Sequence, residues 1–399
     1  MLGEIFRSLF FLSLMHCVIK CRSLSPTITA GMTKNVGRVS AGPIQVSELG
    51  IGTWQWGNRL LYNYSPDQDE ELFKAYKTIR NAGVTLFDTA DSYGTLDLNG
   101  RAEILLGQFE RRYLEESRSE PAYNKRGSSG AFAGFLQSFL SPPSSTSNID
   151  YSQQVATKLA PYPWRISPNS IVNAARASLK RLGQDKLTLA QLHWSTANYQ
   201  PLQERALWEG IADVYDQGLC EAVGVSNFGP KQLDKFAQRM VERNVPLATA
   251  QVQYSLMTYK DPISRGMVDA CKVNNCRLIS YSPLCLGLLT GKYNVEKNIL
   301  PPVGNPRRQL FVELLPGAQP LLNLLEAIAE ETGKTQSQVA INWSLCKGGV
   351  PIPGARTVKQ AEENIGAVGW RLMNAAIEEL DRTALSISKP MIRNIFQTK

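Results

Sequence analysis

Residues 84–94 read VTLFDTADSYG, and this stretch decides the fold class. An apolar, β-branched run ends in Asp88 and gives way at once to small and polar residues. Such a run is typical of a buried strand that is followed by a polar loop. The stretch therefore predicts a strand with chemically capable side chains at and just beyond its C-terminal end.

The same pattern recurs along the chain, with amphipathic stretches between the runs. Helical periodicity is found at 69–81, 167–182, 202–217, 230–242 and 263–274. Eight strands that alternate with helices predict an α/β protein with a (β/α)8 TIM barrel. A doubly wound open sheet is the alternative, but no GxGxxG motif follows the first strand, which argues against it. The predicted strands are 49–53, 84–88, 154–158, 187–193, 221–226, 248–251, 277–281 and 350–353.

Three segments do not follow this alternation of strands and helices. Residues 1–45 begin apolar, continue with hydroxyl and basic residues, and predict a targeting leader, with a disordered tail as the alternative. Residues 112–150 contain RGSSG and SPPSSTS and predict a mobile insert before strand 3. Residues 291–316 are rich in Gly and Pro and predict a long loop on the ligand side. We therefore expect a single barrel domain over 46–399.

Composition excludes several function classes. The net charge is +8, and the leader contributes half of it because residues 1–47 carry five basic residues and one acidic residue. The rest shows no basic stripe with interleaved aromatics and no apolar stretch of about 20 residues, so we expect neither nucleic acid nor membrane as a partner of the mature protein. Seven irregularly spaced cysteines argue against a zinc site. Of the two histidines, His16 lies in the leader, so we expect no metal site built on several histidines.

Four polar residues fall at or just beyond predicted strand ends: Asp88, Tyr93, Lys158 and His193. Taken singly, each has a plain structural explanation, such as a helix cap, loop packing or a buried histidine. Taken together they suit carbonyl reduction, because hydride addition to carbon leaves charge on an oxygen that needs a proton. Tyr93 would give the proton, Lys158 would lower the pKa of Tyr93, Asp88 would hold Lys158, and His193 would orient the substrate oxygen.

The chain resembles the aldo-keto reductase superfamily. The resemblance spans about residues 46–370 and implies that Asp88, Tyr93, Lys158 and His193 are the catalytic tetrad. The matching segments, in order, are GIGTW (50–54), FDTADSYG (87–94), VATK (155–158), QLHW (191–194), GVSNF (224–228), AQVQY (250–254), YSPL (281–284) and PIPGARTVKQAEEN (351–364).

The resemblance also implies an NADPH site. Arg356 would pair with the 2′-phosphate, because a guanidinium matches phosphate geometry, although a solvated loop arginine is the alternative. Arg307, in the long loop, would also touch the cofactor. The remaining cofactor contacts that the resemblance implies are Ser226, Asn227, Gln251, Tyr281, Ser282, Pro283, Leu284, Gly287, Leu288, Lys292, Gly354, Gln360, Glu363 and Asn364.

Within the superfamily, residues 53–64, 190–203, 336–353 and the C-terminal MIRNIFQTK are similar to the plant chloroplastic pyridoxal reductases. This similarity implies reduction of pyridoxal to pyridoxine in vitamin B6 salvage, and a plastid location, with a secretory or mitochondrial leader as the alternative. We expect a monomer that acts on a small-molecule aldehyde. Two other functions remain open: broad detoxification of reactive carbonyls, and a non-catalytic NADPH-binding subunit like the potassium-channel β subunits.

Aromatic residues near the strand ends are candidates for lining a pocket that binds a flat pyridine ring. Trp54 and Trp194 are the main candidates, and Trp56, Tyr62 and Trp164 share the same placement in βα loops. Loop packing is the alternative for each of them.

Overall fold

The computed structural model describes residues 36–119, 152–295 and 297–399. Eight parallel strands form one sheet, and each strand pairs with the next along the chain. A parallel bridge between Gly52 and Gly354 joins the first strand to the region after the last, with Gly52 N donating to Pro353 O at 3.1 Å. The sheet therefore closes into the predicted barrel. Its strands are β3 (Gly50–Gly52), β4 (Leu86–Asp88), β5 (Gln154–Leu159), β6 (Leu187–Leu192), β7 (Cys220–Ser226), β8 (Leu247–Gln253), β9 (Arg277–Tyr281) and β10 (Val350–Ile352).

An antiparallel hairpin precedes the barrel. Its strands are β1 (Arg38–Ala41) and β2 (Ile44–Ser47). Gly42 turns the chain with φ 55°, and a Cβ there would lie 3.0 Å from Ala248 Cα. The hairpin's buried Ala41, Ile44 and Val46 pack with the inward side chains of the barrel strands. The hairpin therefore plugs the barrel at the end opposite the strand C-termini.

Helices surround the barrel, and all five predicted helices are present. They are joined by helices that were not predicted, of which the longest is α8 (Arg307–Thr332). The helices are α1 (Arg59–Tyr62), α2 (Asp69–Asn81), α3 (Arg101–Ser119), α4 (Pro168–Leu182), α5 (Pro201–Asp216), α6 (Pro230–Glu242), α7 (Pro262–Val273), α8, α9 (Gln336–Cys346), α10 (Val358–Ile365) and α11 (Asn374–Ser386).

Helix α2 shows how sequence pattern becomes packing. Leu72, Phe73, Tyr76 and Ile79 share one helical face, and all four are buried. The Tyr76 ring lies 4.8 Å from the ring of Phe87, on β4. Full burial of such side chains contributes about 1.5–3 kcal/mol each, so this face holds the helix against the strand.

The structure moves three of the predicted segment boundaries. Residues 38–45 of the predicted leader belong to the folded body, because the hairpin uses residues 38–47. The predicted insert begins inside α3, which continues to Ser119, and the predicted long loop ends where α8 begins at Arg307. Pro316 and Pro320 lie inside α8, and because proline disfavours a helix interior, the sequence pattern did not predict this helix. Residues 1–35 and 120–151 lie outside the described residues.

Within the described ranges, no helix has both the length and the apolar character that a membrane crossing requires.

Candidate active site

The four candidate catalytic side chains meet at the C-terminal end of the barrel. Asp88 ends β4, Lys158 is the second-last residue of β5, and His193 directly follows β6. Tyr93 lies in the loop after β4, where its N–H donates to Ala90 O at 3.1 Å. The next residue, Gly94, has φ 125°, and a Cβ there would lie 1.8 Å from Leu98 O. Only glycine fits this turn, which aims Tyr93 back over the barrel.

Asp88 and Lys158 form a buried ion pair. Lys158 Nζ lies 2.6 Å from Asp88 Oδ2 and donates to Thr89 O at 2.7 Å. Gln251 Nε2 donates to the second Asp88 oxygen at 2.7 Å. Burial raises the pKa of Asp88 and lowers that of Lys158, and in each case the partner's charge opposes the shift. Because each charge is neutralised by the other, both side chains hold one position with little net charge.

Tyr93 lies beside this pair, and its pKa shifts in the direction opposite to the one predicted from the sequence. Lys158 Nζ is 4.8 Å from the centroid of the Tyr93 ring, so the ammonium is within cation–π distance of the aromatic ring. Burial and then the charge of Asp88 raise the pKa of Tyr93 well above 10. The net shift is therefore opposite to the predicted direction, because burial and the charge of Asp88 outweigh any lowering by Lys158. Tyr93 keeps its proton at neutral pH.

His193 completes the group. Its ring lies 5.6 Å from that of Tyr93 in an edge-to-face arrangement. Burial, followed by the charge of Lys158, lowers its pKa well below 6.5, so the imidazole is neutral. A neutral imidazole carries one N–H, with which it can donate to a carbonyl oxygen.

A cavity of about 560 Å³ opens over these side chains. Its lining includes the four catalytic candidates, Trp54 and Trp194. Of the sixteen predicted cofactor residues, Leu288 differs: its side chain is fully buried in the hydrophobic core and does not line the cavity. The fifteen that do line it are Ser226, Asn227, Gln251, Tyr281, Ser282, Pro283, Leu284, Gly287, Lys292, Arg307, Gly354, Arg356, Gln360, Glu363 and Asn364.

Two arginines mark the other end of the cavity. Arg307 and Arg356 lie against the ring of Tyr62, with guanidinium carbons 5.7 and 5.6 Å from its centroid. Arg307 donates to Leu286 O and Arg356 to Tyr62 O, and neither forms an ion pair with another described residue. Burial and then the charge of Arg307 lower the pKa of Arg356. Two neighbouring, unneutralised guanidiniums favour a multiply charged anion such as a phosphate monoester.

The backbone between the two ends is also suited to an anion. Ser282 and three successive residues, Cys285, Leu286 and Gly287, have positive φ values of 51°, 48°, 57° and 99°. A non-glycine residue in this region costs about 1 kcal/mol, so such a run points to a functional constraint. Concave backbone of this kind directs N–H groups at bound anions. The residues present therefore fit a dinucleotide phosphate along this side of the cavity.

The C-terminal segment contributes residues that sequence analysis did not identify. Asn394 and Phe396 line the cavity. Asn394 Nδ2 donates to the Tyr281 hydroxyl at 2.9 Å, and that hydroxyl donates to Asn227 Oδ1 at 2.9 Å. Thr398 N donates to Asn227 O at 3.1 Å. The tail therefore braces two predicted cofactor contacts. The sequence signals for this segment were its resemblance to the plant enzymes and the aromatic and amide content of IRNIFQTK, and no strand or helix pattern connected it to the C-terminal end of the barrel.

The aromatic candidates divide into two groups. Trp194 stacks on Phe396 with centroids 4.6 Å apart, and Trp54, 37% exposed, meets Tyr62 edge-on at 5.7 Å. These four line the cavity. Trp56 is fully buried and donates to Ala355 O, and Trp164 is 70% exposed and outside the cavity lining. Loop packing therefore accounts for Trp56, while Trp164 lies at the surface.

Comparison with known proteins agrees with this geometry. The chain is 46% identical over 365 residues to the chloroplastic pyridoxal reductase of Arabidopsis thaliana, which covers 91% of this chain and 90% of that protein. It is 31% identical over 336 residues to an uncharacterized oxidoreductase of Mycobacterium tuberculosis, covering 82% and 86% of the two chains.

Two solved structures share the fold. The glycerol dehydrogenase of Gluconobacter oxydans matches with a TM-score of 0.65 at 22% identity, over 92% of this chain and all of that one (100%). An aldo-keto reductase complexed with NADPH matches with a TM-score of 0.59 at 22% identity, over 88% of each chain.

The model of the aldo/keto reductase family matches residues 48–384, which include every strand of the barrel and all four catalytic candidates. The chain therefore belongs to the aldo/keto reductase family and is an NADP-dependent oxidoreductase.

Proposed function

We propose that this reductase converts pyridoxal to pyridoxine with NADPH and that Tyr93 is the proton donor. The observation that carries the chemistry is the meeting of Tyr93, a neutralised Lys158–Asp88 pair and a neutral His193 at one end of a single cavity. The support for pyridoxal is the 46% identity to the Arabidopsis pyridoxal reductase over nearly the whole chain.

The proposed chemistry follows from the protonation states. Bound NADPH would supply the hydride to the carbonyl carbon. The carbonyl oxygen would accept hydrogen bonds from Tyr93 and His193, which polarise it. As charge develops on that oxygen it becomes more basic than a phenolate, so proton transfer from Tyr93 is favourable even though burial raises its pKa. Lys158 then stabilises the tyrosinate, and Asp88 keeps Lys158 in place.

The proposed cofactor placement uses the two ends of the cavity. Tyr281, Asn227, Ser226 and Gln251 would hold the nicotinamide near Tyr93. The positive-φ backbone at 285–287 would receive the pyrophosphate. Arg307 and Arg356 would share the 2′-phosphate, which supports NADPH over NADH. Leu288 is left out of this proposal because its side chain is buried in the core.

The aromatic wall supports a flat ring as substrate. Trp54, Trp194 and Phe396 line the cavity. The ring of Trp194 lies 5.0 Å from that of His193 and stacks on Phe396. Aromatic walls suit a pyridine ring, because stacking adds about 0.5–1.5 kcal/mol per ring pair to burial.

The test follows NADPH oxidation with pyridoxal and identifies pyridoxine by chromatography. We expect kcat/KM for pyridoxal to exceed that for a simple aromatic aldehyde such as benzaldehyde at least tenfold, about 1.4 kcal/mol. Equal values would favour the broad carbonyl-detoxifying function, and no turnover with any aldehyde would favour the non-catalytic subunit. The Tyr93→Phe variant is the control for turnover that does not use the site.

We also propose a plastid location, a monomer, and a mature body that is one barrel domain. The chloroplastic Arabidopsis relative and the acid-poor composition of residues 1–45 support the location. Imaging a fluorescent fusion of residues 1–45 tests it, with mitochondrial or secretory signal as the contrary result. Light scattering on the purified protein tests the oligomeric state.

A further inference from the structure

The C-terminal segment 391–398 is fixed to the loops that follow β7 and β8. Met391 N donates to Met257 O at 2.9 Å, in the loop after β8. Gly229 N, in the loop after β7, donates to Thr398 Oγ1 at 3.0 Å, and Thr398 is only 4% exposed. A Cβ on Gly229 would lie 2.2 Å from Thr398 O, so glycine at this position leaves room for the segment. The barrel therefore holds the segment near both of its ends.

Between these two contacts, Asn394 has a defined amide orientation. Its Oδ1 accepts from Phe396 N at 2.9 Å. A backbone N–H can only donate, so the atom that faces it is the amide oxygen. The amide nitrogen, Nδ2, therefore faces the Tyr281 hydroxyl and donates to it at 2.9 Å.

Asn227, on the other side of Tyr281, is oriented in the same way. Its Nδ2 donates to His193 O at 3.0 Å, and a carbonyl can only accept. Its Oδ1 therefore faces the Tyr281 hydroxyl, which gives its single proton to that oxygen at 2.9 Å. A chain of hydrogen bonds thus runs in one direction from the N–H of Phe396 to the carbonyl of His193. Because backbone groups fix both ends, neither amide can be reversed without losing a bond.

This chain prepares Asn227 to bind an amide. Burial raises the pKa of Tyr281, and its hydrogen bond with Asn394 is the largest effect that opposes the shift, so the hydroxyl keeps its proton at neutral pH. An amide oxygen has two lone pairs, and Tyr281 uses one of those on Asn227 Oδ1. The other can accept an N–H from the carboxamide of a nicotinamide. A group that is already oriented before the ligand arrives loses less entropy on binding.

We infer that Asn394 is a positioning residue for the nicotinamide half of NADPH, and that it acts through the Tyr281 hydroxyl on Asn227. The C-terminal segment is then part of the cofactor site as well as of the cavity wall. The placement of the nicotinamide beside Tyr281 and Asn227 rests on the proposed function, whereas the hydrogen-bond chain is a property of the protein alone.

Two ligands separate this role from a general effect on the fold. NADPH spans both ends of the cavity, whereas adenosine 2′,5′-bisphosphate has no nicotinamide and reports on the arginine end alone. In Asn394→Ala we expect the Kd of NADPH to rise about three- to tenfold, as for the loss of one hydrogen bond. The Kd of adenosine 2′,5′-bisphosphate should stay within twofold. Isothermal titration calorimetry measures both without turnover.

The matched control is Ile395→Ala, in the same segment. The Ile395 side chain is 83% exposed and does not line the cavity. We expect both Kd values to stay within twofold in this variant. A rise in the Kd of NADPH equal to that in Asn394→Ala would show that any change in the segment has the effect, and would overturn the inference.

A double-variant cycle tests the route through Tyr281. Tyr281→Phe keeps the ring, removes the hydroxyl, and should raise the Kd of NADPH by a similar factor. Adding Asn394→Ala to Tyr281→Phe should then cause no further rise, because the hydroxyl through which Asn394 acts is already absent. Additive effects would overturn the inference, as would an unchanged Kd of NADPH or equal weakening of both ligands in Asn394→Ala.

If Asn394→Ala does not fold, Asn394→Asp replaces it in every measurement. Aspartate keeps the acceptor for Phe396 N–H and lacks the donor to Tyr281, so the same rise in the Kd of NADPH is expected. No aldehyde is present in these titrations. A protein that binds NADPH but does not reduce pyridoxal would therefore fail the proposed substrate, while the two Kd values still decide the role of Asn394.

Discussion

The two ends of the cavity handle charge in opposite ways. At the catalytic end, Lys158 and Asp88 are almost fully buried and neutralise each other at 2.6 Å. At the far end, Arg307 and Arg356 are half-buried and bond only to neutral groups among the described residues. The charges of the catalytic end are therefore balanced within the protein, beside the neutral Tyr93 and His193. The arginine end favours an anion, because the guanidinium of Arg356 is half-buried beside the like charge of Arg307, and these two effects lower its pKa.

The comparison predicts the largest effect for Tyr93. Tyr93→Phe removes the only proton donor of the proposed mechanism, so we expect kcat to fall by about 10²–10⁴. Because Tyr93 lies at the end that does not hold the anion, the Kd of NADPH should change less than twofold. Steady-state kinetics and fluorescence titration measure the two quantities. Wild-type turnover in this variant would refute the assignment of Tyr93.

Breaking the neutral pair should affect stability as well as rate. Lys158→Met leaves Asp88 buried without its partner, and loss of one member of a buried ion pair costs about 3–5 kcal/mol of unfolding free energy. The double variant Lys158→Met with Asp88→Asn removes both charges and should recover part of that loss. Denaturant unfolding measures it, and equal stability of single and double variants would show that the pair is not electrostatically coupled.

The arginine end should control cofactor choice and not rate. Arg356→Ala should raise the Kd of NADPH by about 10–100-fold, since a charge-assisted hydrogen bond contributes about 1.5–3 kcal/mol. The Kd of NADH, which lacks the 2′-phosphate, should change little. Arg307→Ala is the matched variant, because both guanidiniums lie against the Tyr62 ring. An equal loss for both cofactors would place the arginines elsewhere on the dinucleotide.

The smallest expected effect is that of pH on the catalytic end. Because burial raises the pKa of Tyr93 above 10 and lowers that of His193 below 6.5, neither group changes protonation near neutrality. The two pKa shifts are opposite in sign, and each keeps its group in the form that the mechanism needs: a protonated phenol and a neutral imidazole. With NADPH and substrate saturating, kcat should stay nearly constant from about pH 7 to about pH 9. A loss of rate with a midpoint inside this range would show that Tyr93 or His193 titrates there.

The local sequence predicted the strand ends well. Asp88, Lys158 and His193 were expected at the C-terminal ends of successive strands, and all three are found there. This works because a buried parallel strand is an uninterrupted apolar run, so the first polar residue marks its end. Helix α8 was not predicted, because Pro316 and Pro320 disfavour a helix in the local sequence. In the folded protein the helix is stabilised by its buried residues, which include Leu314, Leu315, Leu321 and Leu322.

By itself, then, the sequence determined the barrel, the strand ends and, through family resemblance, which residues surround the cofactor. Tertiary structure decided how those residues act. The high pKa of Tyr93 arises from burial and then from the nearby charge of Asp88. The two guanidiniums are neighbours because Tyr62 and Arg356, 294 positions apart, meet when the barrel closes. Burial and charge pairing depend on distances between residues remote in sequence, and local pattern carries no such distances.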